Sequence, residues 1–206
     1  MTLLFLFDMD DVLYDYDWRA RMRGLSALTG LEVAELRRRW WHEEGEWAAE
    51  AGGFADGDTY RLALVEALGV EVTAEQWVAN RRSAMTPRPD AIAAVERAAG
   101  HGRVSLLTNN GPLLDEHLAT IAPEIAPIFG EHLRTTSRYG ARKPDPRVFE
   151  RVLAHYGADA ADAFFVDDLP ENVAAAASLG IATYLYGTAE GLHAAIEGFA
   201  AERLAA

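Results

Sequence analysis

The stretch that decides the fold is Leu3–Asp11, LLFLFDMDD, close to the start of the chain. Its five consecutive apolar residues, Leu3–Phe7, are typical of a β-strand that is buried on both faces of a parallel sheet. Three carboxylates then follow within four residues, at Asp8, Asp10 and Asp11. Because crowded carboxylates repel one another and resist burial, the sequence indicates a divalent cation, which prefers oxygen ligands.

The composition is that of a folded protein. Of its 206 residues, 50% are hydrophobic and 25% are charged, which predicts a packed core rather than disorder. A net charge of −13 argues against general affinity for nucleic acid or anionic membranes, although a local site can still bind a small anion. The absence of cysteine excludes disulfides, thiolate metal sites and cysteine nucleophiles.

The apolar run at the start of the chain is too short for a signal peptide or a membrane span, because it meets an aspartate after five residues. It also lacks a basic leader. We therefore expect a soluble, cytoplasmic protein, monomeric or homodimeric, that binds neither nucleic acid nor membranes.

Strand and helix patterns alternate in the later part of the chain. Apolar strand patterns recur at Arg103–Leu107, Ala163–Val166 and Ala182–Tyr186, with a weaker candidate at Leu133–Thr136. Helical patterns fall between them, at Asp90–Ala99, Leu113–Ile121, Pro146–Tyr156, Glu171–Leu179 and Glu190–Leu204. This alternation predicts an α/β fold with a doubly wound parallel sheet.

Residues 15–85 interrupt the alternation and contain helical patterns only. The stretch that follows, Thr86–Pro89 (TPRP), has the composition of a hinge or linker. We predict a catalytic core formed by residues 1–14 and 86–206, and an all-helical insertion, here named the cap segment, formed by residues 15–85. A mobile cap segment would hinge near Tyr14–Asp17 and Thr86–Pro89.

Polar clusters follow the predicted strands, where ligands bind in open parallel sheets. They are Asp8 and Asp10 after the first strand, Thr108 and Asn109 after the second, Lys143-Pro144 before a helix, and Asp167-Asp168 after AFFV. Together they supply a carboxylate nucleophile, oxygen ligands for a metal, a hydroxyl, amides and an ammonium. That set of groups can handle a phosphoryl group.

The order and content of these clusters resemble the haloacid dehalogenase-like (HAD) superfamily, in its phosphatase branch with a helical cap inserted after the first motif. Asp8-x-Asp10-x-Val12 is similar to the first motif of that family, Thr108 to the second, Lys143-Pro144 to the third and Asp167-Asp168 to the fourth. The resemblance covers the core from Leu3 to about Leu185, and the cap by position and helicity alone. It implies the strand order 5-4-1-2-3, numbered along the chain.

The resemblance also implies roles in catalysis and metal binding. Asp8 would attack phosphorus and form an aspartyl-phosphate. Asp10 would protonate the leaving oxygen and then activate the water that hydrolyses the intermediate. Mg²⁺ would be held by the carboxylates of Asp8 and Asp168 and by the main-chain carbonyl of Asp10.

The remaining motif residues are assigned to the phosphate by the same resemblance. Thr108, the backbone of Asn109 and Lys143 would bind phosphate oxygens. Asp167 would orient either Lys143 or a water molecule on the metal.

Asp10 separates the reactions known in the family. Dehalogenases of this family lack a carboxylate two residues after the nucleophile, since a halide leaves without a proton, whereas an alkoxide needs an acid. The sequence therefore favours a Mg²⁺-dependent phosphomonoester hydrolase acting on a small phosphorylated metabolite such as a sugar phosphate, a nucleotide or flavin mononucleotide. The alternatives are a phosphomutase, a 2-haloacid dehalogenase, and a non-catalytic binding module that retains the fold.

Asp11 departs from the family, which usually has glycine at this position. Glycine suggests a backbone with positive φ, a conformation that aspartate tolerates better than most residues.

Two other groups of residues are expected to have structural and not catalytic roles. The cap aromatics are expected in a hydrophobic core, and two polar residues in the first turn of a helix. They are Trp40, Trp41, Trp47 and Phe54, and Glu171 and Asn172.

Overall fold

The computed structural model describes residues 2–205, which form six β-strands and eleven α-helices. The strands are β1 (Leu3–Phe7), β2 (Tyr14–Tyr16), β3 (Met85–Pro87), β4 (Gly102–Leu106), β5 (Ala163–Asp167) and β6 (Ala182–Leu185). The helices are α1 (Trp18–Thr29), α2 (Val33–Arg39), α3 (Glu46–Glu50), α4 (Gly57–Leu68), α5 (Ala74–Ser83), α6 (Pro89–His101), α7 (Pro112–Ile121), α8 (Ala126–Phe129), α9 (Pro146–Tyr156), α10 (Pro170–Ser178) and α11 (Ala189–Leu204). Within this range, no helix combines the length and apolarity that a membrane crossing requires.

The main sheet contains four parallel strands in the order β4-β1-β5-β6, so β1 lies between β4 and β5. Side chains alternate between the faces of a strand, and both faces of β1 are covered. Phe5 packs against Phe199 of α11 on one face, while Leu4 and Leu6 lie with Val148 of α9 on the other. This two-sided burial explains the uninterrupted LLFLF run and confirms the predicted α/β class.

The predicted order 5-4-1-2-3 needs correction at one edge of the sheet. Four of the predicted strands lie side by side in the expected order 5-4-1-2. The third, Leu133–Thr136, contributes only an isolated parallel bridge between Thr108 and Thr135. The amide and the hydroxyl of Thr135 both donate to the carboxylate of Asp115, and a 3₁₀ turn begins at the next residue. These side-chain bonds replace the strand ladder that the weak LRTT pattern predicted.

The cap segment contains α1 to α5 and is bounded by a two-stranded antiparallel ribbon. Strand β2 pairs with β3, with Asp15 opposite Thr86, and within the described residues this ribbon stays apart from the main sheet. The expectation of helices only in residues 15–85 is therefore corrected at its two ends. These strands are three residues long, too short for a pattern of alternating hydrophobicity to reveal them. The division into core and cap stays a prediction.

Aromatic side chains form the interior of the helices in the cap segment. Trp40 packs against Phe54 and Tyr60. The buried carboxylate of Glu46 accepts hydrogen bonds from the Trp40 indole and the Tyr60 hydroxyl, each at 2.7 Å. Trp47 is 43% exposed, so the expectation of a core position is wrong for that residue.

Candidate active site

A cleft of about 280 Å³ opens at the carboxyl end of the main sheet. It lies where the loops after β1, β4 and β5 meet the loop before α9, as expected for an open parallel sheet. Its lining residues are Asp8, Asp10, Asp11, Thr108, Asn109, Arg142, Lys143, Asp168, Leu169 and Asn172. The fold thus brings together every predicted site residue at the cleft surface except Asp167, which is completely buried beneath it.

Lys143 joins two carboxylates, Asp8 at the surface of the cleft and Asp167 beneath it. Its Nζ lies 2.9 Å from Oδ1 of Asp8 and donates to Oδ2 of Asp167 at 2.6 Å. Burial raises the pKa of Asp8, although Lys143 opposes the shift. Burial alone would lower the pKa of Lys143, but the attraction of Asp8 and Asp167 outweighs it and the net shift is upward. Lys143 is therefore a firmly charged ammonium.

Both carboxylate oxygens of Asp167 accept hydrogen bonds. Besides Lys143 on Oδ2, its Oδ1 accepts from the amide of Leu169 and from Nδ2 of Asn172, both at 2.9 Å. Of the two predicted roles for Asp167, the contact with Lys143 is the one that this arrangement favours. Asn172 lies in the first turn of α10, as predicted, and it is also 2% exposed and lines the cleft.

Three carboxylates form a cluster suited to a metal ion. Oxygen atoms of Asp8, Asp167 and Asp168 lie within 4.8 Å of one another. Burial, with a further contribution from Asp167, raises the pKa of Asp168 to about 6. One ammonium faces three carboxylates here, and the excess negative charge and the oxygen donors both fit a hard divalent cation.

The loop after β4 is hydrogen-bonded to the loop that carries Lys143. The side chain of Asn109 accepts from the Lys143 amide at 2.8 Å and donates to the Lys143 carbonyl at 2.9 Å. Thr108 is buried, and its hydroxyl oxygen accepts from Nδ2 of Asn110 at 2.9 Å. The resemblance assigned only the backbone of Asn109 to the site. Its side chain also contributes to the site, because its two hydrogen bonds fix the position of the Lys143 backbone.

Asp10 is held by an arginine that the sequence analysis did not identify. Nη2 of Arg81, in α5, donates to both carboxylate oxygens of Asp10, at 2.6 and 2.7 Å. Arg81 is completely buried. It lies 71 positions away in sequence, and two arginines at the end of a helix are typical of a solvated surface, so no local pattern pointed to it.

The cap segment contacts the loop before α9 at the edge of the cleft. Nε of Arg142 donates to Oε2 of Glu50 at 2.5 Å, and the Arg142 guanidinium carbon lies 5.5 Å from the centre of the Trp47 ring. The Thr136 hydroxyl donates to the Glu50 carbonyl at 2.9 Å. Burial, aided by Glu46, raises the pKa of Glu50 to about 7 against the pull of Arg142. Helix α3 therefore packs against the loop that supplies Arg142 to the cleft.

Comparison with known families identifies this arrangement. Residues 2–180 match the family model of the haloacid dehalogenase-like hydrolases. The chain belongs to this family. The resemblance inferred from the four motifs is thereby confirmed, and with it the expectation of a hydrolase.

Similar proteins match nearly the whole chain. Phosphatase MT3486 of Mycobacterium tuberculosis is 28% identical over 196 residues, covering 87% of this chain and 85% of that protein. D-ribitol-5-phosphate phosphatase of Bacteroides thetaiotaomicron is 24% identical over 187 residues, covering 87% and 89%. A HAD family enzyme of Bacteroides thetaiotaomicron, crystallised with magnesium and inorganic phosphate, superposes with a TM-score of 0.71 at 19% identity over 91% of this chain and 95% of that one.

Asp11 adopts the backbone conformation that the sequence analysis predicted for it. Its φ is 58°, in the left-handed region, as predicted. Its amide donates to the Tyr14 carbonyl at 2.7 Å, and its carboxylate accepts from the Tyr16 amide at 3.2 Å. The Asp11 carbonyl accepts from Arg88. Hydrogen bonds within the turn and from Arg88 thus hold the left-handed conformation of Asp11, directly after Asp10.

Proposed function

We propose that this protein is a Mg²⁺-dependent phosphatase that hydrolyses phosphomonoesters of small metabolites through an aspartyl-phosphate on Asp8. The observation that carries the proposal is the contact between Asp8 and the Lys143 ammonium, 2.9 Å apart, beside a cluster of carboxylates. The names of the two relatives, both phosphatases, support it. A phosphoryl dianion needs this combination of a carboxylate nucleophile and positive charge.

The residues present fit a magnesium ion. The carboxylates of Asp8 and Asp168 and the carbonyl of Asp10 would hold it, with Lys143 keeping Asp167 occupied. When bound, the ion neutralises the charge of the phosphoryl oxygens and of the crowded carboxylates. Phosphate oxygens would be bound by Lys143, the Thr108 hydroxyl and the Asn109 amide.

In the first step, a carboxylate oxygen of Asp8 attacks phosphorus and the bond from phosphorus to the leaving oxygen breaks. Asp10 gives its proton to that oxygen, so the product leaves as an alcohol. In the second step, Asp10 as a carboxylate takes a proton from water while the water oxygen attacks phosphorus. The bond to Asp8 breaks, inorganic phosphate leaves, and both aspartates return to their starting states.

The cleft favours a small substrate. Its volume of about 280 Å³ is at the lower end of ligand pockets, and its lining is rich in charged and amide side chains. A phosphorylated sugar or polyol fits these properties better than a nucleotide or flavin mononucleotide. The polar lining supplies hydrogen-bond partners for hydroxyl groups beyond the phosphate.

A panel of phosphorylated metabolites tests the proposal. Inorganic phosphate should be released by the wild-type protein with Mg²⁺, but not in excess chelator and not by Asp8→Asn. Release in excess chelator would contradict the metal assignment. Halide release from 2-haloacids without any phosphate release would instead support the dehalogenase alternative, and conversion of a sugar phosphate to its isomer would support a mutase.

A further inference from the structure

The guanidinium of Arg81 is enclosed between one aromatic ring and one carboxylate. Its central carbon lies 4.0 Å from the centre of the Tyr16 ring, in β2, and its Nη2 donates to both oxygens of Asp10. Within residues 2–205, its Nε and Nη1 are buried without hydrogen-bond partners. All of its hydrogen bonding in this part of the chain is therefore directed at Asp10.

This arrangement is poorly suited to stability alone. A buried guanidinium is normally bonded through several of its nitrogens, because each buried N–H without a partner is costly. Arg81 instead uses a single nitrogen, and that nitrogen holds both oxygens of a carboxylate at the edge of the cleft. Its side chain leaves α5, at the end of the cap segment, whereas Asp10 follows the central strand of the core.

We propose that Arg81 is a positioning residue for Asp10, which sets the orientation of the acid and base relative to Asp8. The inference rests on the proposed phosphatase function. When Asp10 has given its proton to the leaving oxygen, the resulting negative charge lies 2.6 Å from the Nη2 of Arg81. In the second step the same contact holds the carboxylate in place while it takes a proton from water. Arg81 does not line the cleft, so it acts through Asp10 and not on the substrate.

A comparison of leaving groups separates this role from a structural one. An alkyl phosphate needs a proton from Asp10, whereas an activated aryl phosphate such as p-nitrophenyl phosphate releases its phenolate without one. Arg81→Met should lower kcat for glycerol phosphate or a sugar phosphate by about 10- to 100-fold, part of the loss expected for a missing general acid. The KM should change little. Rapid mixing with the aryl phosphate should still give a burst of phenolate followed by slower turnover.

Arg21 offers a matched control. It is another buried arginine of the cap segment, 4% exposed, and its Nε and Nη2 also lack partners in the described residues. It stacks on Trp77 and donates to the Tyr16 hydroxyl at 3.1 Å, without a hydrogen bond to Asp10. Arg21→Met should therefore leave the ratio of alkyl to aryl phosphate hydrolysis at the wild-type value, even if the protein becomes less stable.

Two further variants make the test independent of any folding defect. Adding Arg81→Met to Asp10→Asn should cause little further loss, because the arginine acts through the residue already removed. If Arg81→Met fails to fold, Tyr16→Leu removes the ring that supports the guanidinium, and a selective loss on alkyl phosphates is again expected. Arg81→Lys should restore part of the alkyl phosphate activity.

The outcomes distinguish the two levels of inference. Equal losses on both substrate types in the first step, the phosphorylation of Asp8, would overturn the role of Arg81 while leaving the phosphatase proposal intact. The same selective loss in Arg21→Met, full additivity with Asp10→Asn, or an unchanged ratio of the first-step rates in Tyr16→Leu would do so as well. A wild-type protein that hydrolyses neither substrate with Mg²⁺ would overturn the proposed function and, with it, the role of Arg81.

Discussion

Nζ of Lys143 lies 2.9 Å from the carboxylate of Asp8, where β1 ends, and 2.6 Å from Asp167 beneath it. Asp167 holds the ammonium from the buried side, so Lys143 does not depend on Asp8 to stay in place. A phosphate oxygen entering the cleft would therefore meet a cation that is already charged and oriented. Preorganised positive charge of this kind is the main contribution of such sites to catalysis.

Removal of this cation should destabilise the protein as well as inactivate it. Lys143→Met leaves two buried carboxylates unpaired, and we expect a loss of about 3–5 kcal/mol in the free energy of unfolding, measured by urea denaturation. Adding Asp167→Asn should recover part of the loss, because one buried charge is removed. Arg147→Met, which breaks an exposed ion pair with Asp145, is the control and should change stability little. Equal effects of the two single variants would contradict the account.

Magnesium should stabilise the protein in the absence of substrate. A ligand at 100 times its Kd that binds only the folded state adds about 2.7 kcal/mol, which a rise in Tm would reveal. Asp168→Asn should abolish most of this rise, because it removes one of the three clustered carboxylates. Asp159→Asn makes the same change at an exposed aspartate distant in the fold and should retain the rise. A rise that persists in Asp168→Asn would exclude that residue as a ligand.

Nucleophile and acid should differ in their response to the leaving group. Asp8→Asn removes the attacking carboxylate, so rapid mixing with an aryl phosphate should give no burst of phenolate. Asp10→Asn keeps the nucleophile and should give a burst followed by slow turnover, with a loss of about 10²–10⁴ on alkyl phosphates. A burst in Asp8→Asn would show that another residue is the nucleophile.

Glu50 should make stability depend on pH. Its pKa rises from an ordinary value of 4.5 to about 7 in the folded protein, mainly through burial. Between these values the folded state binds the proton more tightly than the unfolded chain, so the contribution of Glu50 to the free energy of unfolding falls as the pH rises. Glu50→Gln should therefore gain stability relative to the wild type from pH 4.5 to 7, by up to about 3 kcal/mol. A difference that does not vary with pH would contradict this.

The sequence predicted those features that arise from continuous patterns. Buried parallel strands are apolar throughout, so LLFLF and AFFV were recognisable, and the residues after them had to meet at one edge of the sheet. The strand predicted at Leu133–Thr136 failed because Asp115, on a different element, takes the amide and hydroxyl of Thr135. The carboxylate of Asp115 competes with a neighbouring strand for these donors, and it lies 20 positions away, outside any local sequence pattern.

Contacts between distant segments were similarly hidden. Arg81 reaches Asp10 across 71 positions, and the exposed Trp47 stands near Arg142 instead of in the interior of the cap segment. A helical pattern shows that one side of a helix is buried, but not which segment covers it. The contact between Asn172 and Asp167 is easier to anticipate from the sequence. Asn172 lies five positions after Asp167, and this spacing brings its side-chain amide back to the end of the strand.

The pairing of β2 with β3 has a consequence for any movement of the cap segment. The chain enters the cap segment through β2 and leaves it through β3, and these two strands are hydrogen-bonded to each other. They therefore form a single hinge, about which the helices of the cap segment would rotate together. Tyr16 belongs to this ribbon and Arg81 is stacked on its ring, whereas Glu50 lies in α3, outside the ribbon. A rotation of the helices about the ribbon would break the hydrogen bond between Arg142 and Glu50, and would displace the Arg81–Asp10 pair, which lies beside the ribbon, less.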